Sequence, residues 1–130
     1  MLNATFLGRY RTAAMLGAVL AGTAVATGAL ATHALRSRLE PALLEVFATA
    51  ARYQMIHGIA LIVAALAAER WPQGRLEAVW WMFLAGTVVF SGSLYLIALT
   101  GVSAIGAVTP IGGVLLIAGW ATFAWRVARS

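Results

Sequence analysis

The sequence predicts an all-α polytopic membrane protein, a four-transmembrane-helix bundle with a short amphipathic helix between the first and second spans. Three observations predict it. Hydrophobic residues make up 62% of the 130-residue chain and charged residues only 10%, against about 25% charged in a soluble domain. The few charges sit at the edges of long apolar stretches, and those stretches approach or exceed the roughly 20 residues a helix needs to cross the hydrocarbon core. A soluble fold of this size could not bury so much apolar surface within itself, so the chain reads as a single membrane domain over residues 1–130 whose first partner is the lipid bilayer.

The first span is expected over 12–32, because between Arg11 and Arg36 the only ionisable side chain is His33. Arg9 and Arg11 ahead of an apolar region, with Ala29-Leu30-Ala31 behind it, also resemble a signal peptide. The apolar region is too long for that, and the expectation is a retained helix. Residues 41–52 come next. Pro41 suits a first helical turn and Glu40 its positive end. Leu43, Leu44, Phe47, Ala50 and Ala51 recur at helical spacing, while Glu45, Thr49 and Arg52 line another side. This pattern predicts an amphipathic helix at the membrane surface feeding into the second span, or the exposed first turns of one longer helix. The second span is expected over 53–68, between Arg52 and Glu69. From Glu77 to Arg126 nothing is charged; breaks at Gly101-Val102-Ser103 and Thr109-Pro110 divide that stretch into spans over 78–100 and 104–125. Thr109 is expected to cap the fourth helix.

Four crossings place both termini and the 69–77 loop on one face with Arg9, Arg11, Arg70, Arg75, Arg126 and Arg129, and Arg36, Arg38 and Arg52 on the other. The excess of arginine predicts cytoplasmic termini and a bacterial inner-membrane location. Trp71, Trp80, Trp81, Trp120 and Trp125 fall toward the same face and read as interfacial anchors. The basic residues are too few and dispersed for phosphate binding, so nucleic acid is not an expected partner. With no cysteine, disulfides, thiolate metal sites and cysteine nucleophiles are excluded.

Small residues mark helix contacts in lipid. The first helix offers Ala14, Ala18, Gly22 and Ala26 at four-residue spacing, with Gly17, Ala21 and Gly28 nearby. The third offers Gly86 and Ser91-Gly92-Ser93, and the fourth Gly106, Gly112, Gly113 and Gly119. Polar residues inside spans are costly unless paired. His33, Tyr53, Gln54, His57, Ser91, Ser93, Tyr95 and Thr109 are expected to converge at one depth, in the leaflet away from the termini.

Gly28-Ala29-Leu30-Ala31-Thr32-His33, Arg52-Tyr53-Gln54-Met55-Ile56-His57, Phe90-Ser91-Gly92-Ser93-Leu94-Tyr95 and Thr109-Pro110-Ile111-Gly112-Gly113 occur in that order. This series resembles the domain of unknown function 423 family, YgdD-like small inner-membrane proteins of bacteria to which the eukaryotic transmembrane protein 256 looks related. The first motif departs from the family's GAFGAH, with Leu30, Ala31 and Thr32 in place of Phe, Gly and Ala. The resemblance implies a four-helix inner-membrane protein and brings no established activity.

The leading functional reading is a non-enzymatic membrane protein whose polar cluster holds the bundle together. The alternative is a pocket at that cluster for a lipid-like or quinone-like amphiphile, with Arg36, Arg38 and Arg52 favouring an anionic head group. Proton or solute transport is less favoured, because the halves of the spans nearer the termini lack ionisable residues. No cofactor or metal is expected: His33 and His57 find no third ligand in cysteine or an intramembrane carboxylate. Ser91 or Ser93 with His57 as base would lack a carboxylate to orient the imidazole. Homo-oligomerisation, or a place in a larger membrane complex, is left open by the sequence.

Overall fold

The computed structural model describes the backbone of residues 4–130 and the side chains of 8–130. Four helices follow one another: α1 (Ala4–Thr32), α2 (Pro41–Arg70), α3 (Glu77–Thr100) and α4 (Thr109–Ala128). Each belongs to a stretch long and apolar enough to cross a membrane. Among the described residues there are no strands. Successive helices pack antiparallel, so the 71–76 connection shares one end with the C-terminus, and residues 33–40 and 101–108 share the other.

Residues 41–52 are not a separate helix. They form the first three turns of α2, the second of the two arrangements the sequence allows, because Ala50, Ala51 and Gln54 are all buried and nothing at Arg52 interrupts the backbone. Glu40 has extended φ/ψ at the N-cap and Pro41 opens the helix, where its missing N–H costs no hydrogen bond. At the other end of α2 the Trp71 N–H reaches the Ala67 carbonyl at 2.7 Å. A single 3-10 turn, Pro72–Gly74, then leads to Arg75 in the left-handed region at φ 47°. α3 stops at Gly101, whose φ of 72° turns its N–H onto Ile97 O at 2.8 Å, the left-handed cap that glycine adopts without strain. The fourth apolar stretch begins with a 3-10 segment, Ser103–Ala107, and its regular helix starts only at Thr109. Thr109 makes no capping bond; its hydroxyl faces Ser93 instead.

α2 is the spine of the molecule. Leu61, Ala64, Ala65 and Ala68 on it are almost fully buried, packed with Tyr10 and Ala13 of α1, Val79, Trp80 and Phe83 of α3, and Leu116 of α4. A smaller cluster of Ala31, Phe47 and Ala98 closes the loop end. With no hydrophobic drive between helices in lipid, close approach must do this work, and glycine makes it possible. A Cβ on Gly17 would stand 2.6 Å from Gly58 O, and one on Gly58 would stand 2.8 Å from Ala21 N. α3 and α4 lock similarly: a Cβ on Gly119 would meet the Phe83 ring at 2.8 Å, and one on Gly112 would press into the Phe90 backbone.

The expected contact stripe on α1 is displaced. Ala18, Gly22 and Ala26 face outward and nothing lies within 4 Å of a Cβ built on Gly22. The face that packs is one position around, through Ala13, Gly17 and Ala24. Small residues recur on both faces, so spacing alone does not choose between them.

Candidate functional site

The polar side chains of the spans group by which helices they join. Gln54, buried on α2, reaches across to α1, where its Nε2 donates to Leu20 O at 2.9 Å and to Thr23 Oγ1 at 2.7 Å. Its Oε1 accepts from Tyr95 Oη of α3 at 2.7 Å. Tyr95 Oη in turn lies 2.8 Å from Thr27 Oγ1 of α1. One amide and one phenol therefore tie three helices together. The Tyr95 ring is held by Phe47, edge to face at 4.8 Å between centroids.

Two serines of the FSGSLY stretch face different helices. Ser91 Oγ donates to Ala50 O of α2 at 2.8 Å, a carbonyl that the α2 ladder already uses on its other lone pair. Ser93 Oγ donates to Phe90 O on its own helix and sits 2.7 Å from Thr109 Oγ1 of α4. Gly92 between them has open space at its Cβ position.

His57 joins α2 to α4. Its Nδ1 lies 2.8 Å from Tyr53 O, and its Nε2 lies 3.0 Å from Trp120 Nε1. A carbonyl can only accept and an indole N–H can only donate. Both contacts are therefore satisfied by one species, the neutral ring with its proton on Nδ1. The imidazole sits in an aromatic box, with ring centroids of Phe83 at 5.7 Å, Tyr53 at 6.0 Å and Trp120 at 6.0 Å.

These groups lie at successive levels rather than at one depth. His57 and Trp120 meet near the middle of the bundle, Gln54 bonds Leu20 at the centre of α1, and Ser93 with Thr109 lies toward the loop end. Tyr53 lends its ring and its carbonyl but is 38% exposed. His33 is apart from all of them: it is exposed in the turn after α1, held there through its backbone N–H on Ala29 O. Arg36, Arg38 and Arg52 are exposed.

Sequence reasoning missed three participants, Thr23, Thr27 and Trp120, and misplaced Trp80. Thr23 and Thr27 read as ordinary span residues, since such hydroxyls usually bond back to their own helix, as Thr23 also does to Val19 O. Trp80 and Trp120 read as interfacial anchors, yet Trp80 is in the core, edge on to Tyr10 at 5.9 Å, and Trp120 is the donor to His57. Trp81 and Trp125 are exposed at the end that carries the C-terminus, with the Arg129 guanidinium 5.1 Å over the Trp125 ring. At that end Arg126 donates to the carbonyls of Gly74 and Arg75, so one of the arginines counted for topology also pins α4 to the α2–α3 turn.

Among the described residues no group of three or more His, Asp or Glu side chains converges as a metal site would. An open cavity lies away from the polar groups. It is a groove of about 530 Å³ between α1 and α3, at the end where Arg9 and Glu77 sit.

Sequence comparison places the chain among proteins named as membrane proteins. Residues 27–113, which span all four quoted motifs, match the family described as "Protein of unknown function (DUF423)". The UPF0382 membrane protein SSP2132 of Staphylococcus saprophyticus is 44% identical over 106 residues, covering 82% of this chain and 88% of the relative. UPF0382 membrane protein YwdK of Bacillus subtilis is 39% identical over 107 residues, covering 82% and 87%. No solved structure matches the chain. A family match across two thirds of the sequence, and relatives this similar over nearly their whole length, show that the chain is a DUF423-family integral membrane protein.

Proposed function

We propose that this protein is a non-enzymatic component of the bacterial inner membrane, with both termini cytoplasmic, whose polar side chains hold four helices in one register. The observation that carries the reading is Gln54: a buried amide with both its oxygen and its nitrogen bonded to neighbouring helices. A side chain committed in this way has little left to offer a ligand or a reacting group. Ser91 is likewise bonded to backbone and Ser93 to Phe90 and Thr109, and His57 has both nitrogens engaged. This favours a structural role over an amphiphile pocket among the same residues. The orientation rests on the arginine excess at the end shared by the termini and the 71–76 connection.

The test is thermal unfolding of purified protein in mild detergent. His57→Ala and Tyr95→Phe are each expected to melt measurably below the wild type, by roughly the 0.6 to 1.7 kcal/mol found for interhelical hydrogen bonds in membrane proteins, with a further loss of packing for the alanine. Unchanged melting of both variants would overturn the proposal.

A further inference from the structure

We infer that the groove between α1 and α3 is a binding site for one glycerophospholipid with an amine-bearing zwitterionic head group, of the phosphatidylethanolamine type. Its volume of about 530 Å³ lies in the range of built ligand sites. Leu16 of α1 and Leu84 of α3 form its walls, and Leu61 of α2 its floor. These surfaces suit an acyl chain. The mouth is different in kind: one guanidinium, Arg9, and one carboxylate, Glu77, both line it. Arg9 stands at the start of the apolar stretch Gly8–Thr32 and Glu77 is the first residue of α3, so both charges lie at head-group level.

The groove has matching depth on its two walls. Arg9 precedes Leu16, and Glu77 precedes Leu84, by two helical turns, about 10 Å along each axis. A lipid lying in it would place its phosphate at the arginine and its ammonium at the carboxylate while its chain ran inward between the leucines. A purely anionic head group would meet the Arg9 charge but be opposed by Glu77. Trp81, 67% exposed beside the mouth, is placed where indoles favour the glycerol region. This site is independent of the polar network: it lies at the opposite end of α1 from Thr27 and uses none of the same side chains.

The experiment is native mass spectrometry of protein exchanged into equimolar dioleoyl-phosphatidylethanolamine and dioleoyl-phosphatidylglycerol before release from the bilayer. The wild type is expected to retain one phosphatidylethanolamine per chain, about fivefold over phosphatidylglycerol, the ratio set by one exposed ion pair. Thr12→Trp fills the groove from an exposed position, and is expected to retain neither lipid. Glu77→Gln is expected to bring the two lipids to parity. Equal retention of both lipids by the wild type would overturn the inference. So would wild-type retention by Thr12→Trp, or an unchanged lipid ratio in Glu77→Gln.

Discussion

Gln54 and Tyr95 show how few polar atoms are needed to fix a bundle in lipid. Replacing Gln54 by Leu removes three contacts and leaves Tyr95 with Thr27 alone. The expected loss is about 1–2 kcal/mol in reversible unfolding. Because the two side chains share one bond, the Gln54→Leu, Tyr95→Phe double variant is expected to lose less than the sum of the singles, with a coupling of at least about 0.5 kcal/mol. Additivity in that cycle would mean the bond contributes nothing. For His57, ¹⁵N spectra of ring-labelled protein in detergent are expected to show a protonated Nδ1 and an unprotonated Nε2, since an Nε2 proton would point at the Trp120 N–H. A spectrum with Nε2 protonated would contradict the bond to Trp120. At this scale the sequence was partly legible. Gln54, His57, Ser91 and Tyr95 stood out because an apolar background exposes any polar residue that must be paired. The partners did not stand out, since a threonine in a span is usually self-satisfied and a tryptophan is usually interfacial. His33 stood out equally and joins nothing in the bundle, because it lies one residue beyond the end of α1.

Among the helices, two glycines of α1 make a direct comparison. Gly17 meets Gly58, whereas Gly22 meets nothing. Gly17→Ala is expected to push α1 from α2 and cost about 1–3 kcal/mol. Gly22→Ala should be neutral or stabilising by up to about 1 kcal/mol, from helix propensity alone. Denaturation of both variants in the same detergent checks the pair, and equal effects would mean that α1 does not pack on α2 through Gly17. The spans were legible because length and charge placement leave little choice for a membrane helix. The face each one presents was not, because α1 carries small residues on two adjacent stripes. Likewise the break near Arg52 was undecided by sequence: a surface helix and an extended span share the same amphipathic first turns, and only packing of Phe47 and Ala50 selects the continuous form.

For the whole molecule, topology is the accessible measurement, and a chain without cysteine suits single-cysteine labelling. Ser37→Cys is expected to react with a membrane-impermeant maleimide in intact spheroplasts, and Ser130→Cys only after lysis. The reverse pattern would invert the orientation inferred from arginine placement, and labelling of both from outside would contradict the three crossings between these two positions. The order of the helices in space follows their order in the chain, α1 on α2, α2 on α3 and α3 on α4, so each new span can dock on the one made before it.

The unbroken course of α2 carries a consequence for the surrounding membrane. At 1.5 Å per residue its 30 residues form a rod about 45 Å long, against an oily slab of roughly 30 Å. The surplus is absorbed by leaning or by standing proud, the second suiting the first turns with their charged Glu45 and Arg52, and misfit of the apolar part costs fractions of a kcal/mol per Å. Because α1 is keyed to this rod by the Gly17–Gly58 contact and α3 packs on it through Val79, Trp80 and Phe83, both must lean with it. The protein should thus register the thickness of its host bilayer as a single rigid body.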